Sequence, residues 1–295
     1  MRAALVIALS AAVLLGCGGS SSSATQPGTQ PVTQPARSAE RADRFDGSRA
    51  FSLLRAQVEM GPRPAGSAKA RELARWLRAR LPNGRFERVD GGLINVVGHI
   101  RGKRPAVLVG AHYDTKDIPG FVGAEDGAGG TAAVLELARA LKAMRRPAGA
   151  PEIRFVLFDG EECPDDTREF YSCGLRGSRD YARRHARELR AVVILDFIAQ
   201  KDLSIPRDRS SDRRLWARLR AAARRVGSGR VFPDRVQPVV LDDHTPFLRR
   251  GIPAIDLIDF DFPCWHQVCD DMTAVSERSL DLSGEAVLEL LRTWR

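Results

Sequence analysis

From residue 93 onward, short apolar runs alternate with longer stretches whose apolar positions recur every three to four residues. LINVVGHI (93–100), PAVLVGAH (105–112), IRFVLF (153–158), AVVILD (191–196) and IPAIDLI (252–258) read as strands. The scarcity of polar letters within 153–158 predicts a strand covered on both faces. KARELARWLRARL (69–81) places Leu73, Trp76, Leu77 and Leu81 on one helical face, with arginines opposite. TAAVLELARALKAM (131–144), segments near SRDYARRHA (178–186) and DRRLWARLRAAARR (212–225), and GEAVLELLRTW (284–294) carry the same period. Such alternation predicts an α/β fold, a mainly parallel mixed sheet flanked by helices on both faces. Residues 45–295 show no internal repeat and no second linker, so they read as one domain.

The first 44 residues break this pattern. MRAALVIALSAAVLLGCGG has a basic start at Arg2, an apolar stretch over 3–15 and then Leu14-Leu15-Gly16-Cys17, which resembles the lipobox of bacterial lipoproteins. Residues 1–16 are therefore expected to be a signal peptide, with Cys17 lipidated. The Ser/Thr/Pro/Gln-rich tract that follows, within 17–44, has too little apolar surface to pack and reads as a flexible tether. The expected location is the outer face of a bacterial membrane, with the membrane as a partner through Cys17.

The 295 residues are 43% hydrophobic and 28% charged, enough to bury a core in one large domain. The net charge of +9 is mostly arginine spread over helices such as RRHARELR and ARLRAAARR. No aromatic-interleaved basic stripe accompanies it, so nucleic acid is not an expected partner. Setting Cys17 aside leaves Cys163, Cys173, Cys264 and Cys269, an even number suited to two disulfides in an oxidising compartment. Their spacing fits no zinc-ribbon pattern.

The candidate chemistry lies where strands end. Ligands of parallel sheets collect at the carboxyl ends of strands. VLVGAH ends at His112, followed by Tyr113 and Asp114; FVLFDGEE ends at Glu161 and Glu162; VVILD ends at Asp196; and His266 follows IPAIDLI in CWHQVCDD. Asp126 sits among glycines in GAEDGAGG, at the start of a helix. Two histidines and several carboxylates at one edge suit the nitrogen and oxygen ligation of zinc. Of the other histidines, His99 reads as structural, within a strand, and His185 as exposed on an Arg-rich helix.

The stretches GPRPAGS, AHYDTK, GAEDGAGGTAAVLELARAL, FVLFDGEE, LRGSRDYA, LDFIA, DDHTPFLRRGIPA and WHQ, over 61–271, resemble the zinc-dependent M28 peptidase superfamily, and within it the glutaminyl cyclases. The resemblance implies a zinc enzyme acting on peptide or protein N-termini, with Asp126, Glu162 and His266 as zinc ligands and Glu161 as general acid/base. The cyclases convert N-terminal glutamine to pyroglutamate with one zinc. Aminopeptidases add a second, held by His112 and Asp196 with Asp126 bridging. The cyclase reading, favoured by FDGEE, Asp242 and Trp265, gives Asp196 and Asp242 a part in proton transfer. It makes Trp265 and Phe262 the walls of the substrate pocket. The peptidase reading is favoured by Cys264 and Cys269 bracketing His266. The least expected alternative is a lipid-anchored peptide-binding protein without catalysis. Asp114 is expected to orient His112, Asp270 to orient His266, and His244 to lie just behind the site. The cysteines are expected to pair as Cys163 with Cys173 and Cys264 with Cys269, each closing a short loop.

Overall fold

The computed structural model describes residues 44–164 and 168–294; the signal peptide, Cys17 and all of the tether but Arg44 lie outside the described residues. The central sheet comprises β1 (Arg85–Val89), β2 (Leu93–Ile100), β3 (Lys103–His112), β4 (Pro151–Phe158), β5 (Leu189–Leu195) and β8 (Ala254–Leu257). A two-residue pair, β6 (Arg207–Asp208) and β7 (Val236–Gln237), stands apart from it. The order in the sheet is β1-β2-β4-β3-β5-β8. The pairs β4-β3, β3-β5 and β5-β8 are parallel, whereas β1-β2 and β2-β4 are antiparallel. The carboxyl ends of β3, β4, β5 and β8 therefore open on one edge.

The helices are α1 (Gly47–Val58), α2 (Ala68–Arg80), α3 (Gly130–Ala143), α4 (Phe170–Cys173), α5 (Arg176–His185), α6 (Arg213–Arg225), α7 (Thr245–Leu248) and α8 (Glu277–Arg292). Because side chains alternate across a strand, Val107, Val109 and Ala111 join the larger core, together with residues of α1, α2, α3, α6 and α8. Ala106 and Leu108 join a smaller one with Tyr181 of α5 and Phe247 of α7. Helix starts are set locally: the carboxylate or hydroxyl of Asp46, Ser67 and Asp212 accepts from the amides of Arg49, Ala70 and Leu215 at 2.9, 3.0 and 2.7 Å. Each such cap is worth about 1 kcal/mol.

On α2 the half-buried Trp76 packs against the larger core alongside the buried Leu73, Leu77 and Leu81, with the Arg80 guanidinium over its ring at 3.6 Å. Two expectations need correcting. His185 is not a freely exposed residue, since its ring nitrogens sit 3.1 Å from Glu87 and 2.9 Å from Glu188. Strand β1 and helix α1 were not anticipated. β1 is an edge strand, RFERV, whose charged residues interrupt the apolar signal.

Helix α3 approaches β5 closely. A Cβ at Gly130 would stand 1.9 Å from the Leu195 carbonyl oxygen. Gly130→Ala is therefore expected to lose about 3 kcal/mol of stability, read as a lower urea midpoint at unchanged slope. An unaltered midpoint would mean that α3 can move off the sheet without cost.

Candidate active site

The four parallel strands deliver their terminal residues to one buried cluster. Gly160, at φ +78°, turns the chain sharply after β4, a conformation that strains any residue with a Cβ. Glu161 and Glu162 follow it into a cavity of about 450 Å³, which is also lined by Asp126, Asp196, Asp242, Trp265 and His266.

Asp126, Glu162 and His266 bring ligand atoms together. The His266 Nε2 is 3.4 Å from Glu162 Oε2 and 3.7 Å from Asp126 Oδ2. His112, Asp126 and Asp196 form a second group, with His112 Nε2 3.3 Å from Asp126 Oδ1 and 3.2 Å from Asp196 Oδ1. Ligand atoms about 2.1 Å from a tetrahedral zinc stand about 3.4 Å apart, so both groups have suitable spacing. Asp126 serves each with a different oxygen. Asp126 Oδ2 and Glu162 Oε1 are buried with no hydrogen-bond partner, a costly state that a cation would relieve. The donor sets therefore fit zinc.

His112 Nδ1 lies 3.1 Å from the backbone carbonyl of Asp114. A carbonyl only accepts, so Nδ1 carries a proton and Nε2 is the nitrogen that faces the carboxylates. The Asp114 carboxylate is farther, at 3.7 Å. Its oxygens instead accept from the backbone N–H groups of Glu161 and Glu162, both at 3.2 Å. Asp270, by contrast, does not orient His266; it accepts from the amides of Glu125 and Asp126 at 2.8 and 3.0 Å. Each of these two carboxylates positions a ligand-bearing loop through its backbone. Glu125, not singled out in the sequence, does the same for the loop after β5, accepting from the amides of Ala199 and Gln200. Buried Arg63 adds a cation beneath the cluster, donating to the carbonyls of Tyr113, Val122 and Gly123.

So many carboxylates in one buried place disfavour charge. Burial first, and then Glu162, push Glu161 well above the usual carboxylate range. Burial and Asp126 raise Glu162, against His266. Asp196 is pushed up to about 8 by burial and Asp242. For His112 burial disfavours the imidazolium, but bonds with Asp114, Asp126 and Asp196 outweigh it and raise the ring well above its ordinary value.

His266 itself sits at φ +53°, a left-handed conformation uncommon outside glycine. The Cys264–Cys269 disulfide closes the loop around it, and Cys163–Cys173 closes the loop after Glu162. The Trp265 ring lies 4.5 Å from the His266 ring and lines the cavity. Phe262 does not line it. That ring packs edge-on against Phe197 at 5.6 Å, within a small buried cluster. Phe260 takes the wall position instead, stacked on Phe197 and 5.0 Å from Trp265.

His244 is fully buried behind Asp242, with Nε2 2.8 Å from Ser210 Oγ and 3.3 Å from Asp208, and Nδ1 3.6 Å from Asp256. Neither Asp208 nor Asp256 is among the site residues expected from the sequence. A lone carboxylate inside the apolar run IPAIDLI was the available signal for Asp256.

Sequence comparison matches peptidase family M28 over residues 95–291. A glutaminyl-peptide cyclotransferase of Bos taurus is 31% identical over 217 residues, 61% of this chain and 59% of that protein. The chain thus spans less than two thirds of the length of such curated relatives. The crystal structure of an Acidobacteriales bacterium glutaminyl cyclase is similar at 29% identity and a TM-score of 0.73, over 88% of this chain and 97% of that one. A leucine aminopeptidase precursor from Bacteroides thetaiotaomicron shares the fold, with a TM-score of 0.78 at 22% identity over 85% and 98% of the two chains.

Proposed function

The chain belongs to peptidase family M28, and from that premise we propose that it is a zinc enzyme acting on peptide N-termini, as a glutaminyl-peptide cyclotransferase. The observation that carries this reading is the composition of the cavity. Three carboxyl groups not needed to complete the first ligand group, Glu161, Asp196 and Asp242, share it with the flat wall of Trp265 and Phe260. Similarity to glutaminyl-peptide cyclotransferases supports the same choice.

In the reaction, the substrate α-amine attacks the γ-carboxamide carbon of its own N-terminal glutamine. A C–N bond forms, the bond to the amide nitrogen breaks, and ammonia leaves. Glu161 takes the proton from the amine and returns it to the departing nitrogen, ending as it began. Asp196 and Asp242 hold the amine and the transferred proton on the same side of the cavity. Trp265 and Phe260 confine the short side chain, so that an intramolecular attack needs only positioning. Zinc held by Asp126, Glu162 and His266 would supply Lewis-acid polarisation of the carbonyl under attack.

The alternative, an aminopeptidase, is favoured by the complete group of His112, Asp126 and Asp196, which would hold a second zinc. An exported lipoprotein anchored at Cys17 belongs to the same proposal. Mass spectrometry separates the reactions. A peptide beginning with Gln is expected to lose ammonia and remain one chain, while a Leu peptide stays intact. Free leucine from the Leu peptide, with the Gln peptide unchanged, would establish the aminopeptidase instead.

A further inference from the structure

The mouth of the cavity has a character opposite to its base. Among the described residues seven large hydrophobic side chains are more than about a third exposed, and four of them line this one cavity: Val239 at 54%, Trp265 at 44%, and Leu241 and Phe260 at 38%. Single exposed apolar residues are ordinary, but their concentration around one opening marks a binding surface.

These side chains are held outward by the structure. The amide of Val240 donates to Asp208 Oδ1 at 2.9 Å, and Gln237 Nε2 donates to the Ile258 carbonyl at 3.0 Å. Together these bonds fix the segment 237–241 and leave its neighbouring valine and leucine facing water. On the other side Phe260 is fixed by stacking on Phe197. The charged residues lining the cavity are Asp126, Glu161, Glu162, Asp196 and Asp242 with His266, the residues of the proposed chemistry. The remaining lining residues carry no charge, and the side-chain amide of Gln237 is already engaged.

We propose that this apolar rim selects peptides with apolar side chains immediately after the N-terminal residue, and that Val239 and Leu241 determine the preference. The inference rests on the reading that an N-terminal residue occupies the cavity. An extended peptide advances about 3.3 Å per residue, so its second and third side chains pass the rim as the chain leaves. An apolar side chain there removes its own surface and that of the rim from water. A charged one loses hydration and meets no partner.

The test reads affinity by calorimetry in the Glu161→Gln protein, so that no turnover is needed, with Gln-Phe-Ala and Gln-Glu-Ala as probes. The expected result is at least about tenfold tighter binding of the Phe peptide, the scale of one partly buried aromatic side chain. That preference should fall toward one in Val239→Ser/Leu241→Ser and persist in Val236→Ser, which alters an exposed valine outside the cavity lining. Equal affinities, or a preference unchanged in the double variant, would overturn the proposal. Turnover by the wild-type protein reports separately on the reaction. If Leu peptides are cleaved and Gln peptides are not, the cyclase reading fails while Leu-Phe-Ala against Leu-Glu-Ala, by the same calorimetry, decides the rim.

Discussion

Glu161→Gln is expected to lower the turnover of a Gln peptide by about two to four orders of magnitude, the usual scale for loss of a general acid/base, while zinc content stays at the wild-type level. The amide has nearly the same shape as the carboxyl. The backbone N–H of residue 161 would keep its bond to Asp114, so the loop and its neighbour Glu162 should not move. What disappears is the capacity to take a proton from the amine and return it. Two outcomes would count against the assignment. Near-normal turnover would place the proton transfer on another carboxylate of the cavity, and loss of zinc together with activity would mean that the two adjacent glutamates have exchanged roles.

Glu162→Ala should remove the metal instead. Its carboxylate stands 3.4 Å from His266 Nε2 and shares a ligand group with Asp126. Zinc binding by four ligands reaches about 10–16 kcal/mol. Losing one ligand should thus weaken binding by roughly a hundredfold or more, and turnover should fall in parallel. Zinc content after dialysis against a competing chelator, compared with Glu161→Gln treated identically, measures the difference. Full zinc retention would shift the site to His112, Asp126 and Asp196.

The parallel strands were legible because burial on both faces leaves almost continuous apolar runs, as in β4, whose residues are all buried. The edge strand β1 was not, since charged residues interrupt its pattern. The strand-end residues could be picked out by chemical type: His112, Asp126, Glu162, Asp196 and His266 all reach one place. Their supports could not be read in the same way. Asp114 does hold the His112 imidazole, but through its backbone carbonyl, while its carboxylate and that of Asp270 accept from backbone amides, a choice set by loop geometry. The partners of Glu125 are the amides of residues 74 and 75 positions along the chain. Phe262, which the cyclase reading makes a wall, goes to the core, and the turn of the loop sends Phe260 to the cavity.

The three amide-holding carboxylates also bear on how such an enzyme can diversify. Asp114 ties the loop after β3 to the one after β4, Asp270 ties the His266 region to the turn bearing Asp126, and Glu125 ties that turn to the loop after β5. A replacement inside this linked set disturbs several loops at once, so its members are poor starting points for change. The 237–241 segment and Phe260 lie outside these ties. A lineage can therefore alter what it recognises by exchanging side chains there while inheriting its reactive centre intact, and a protein engineer has the same freedom.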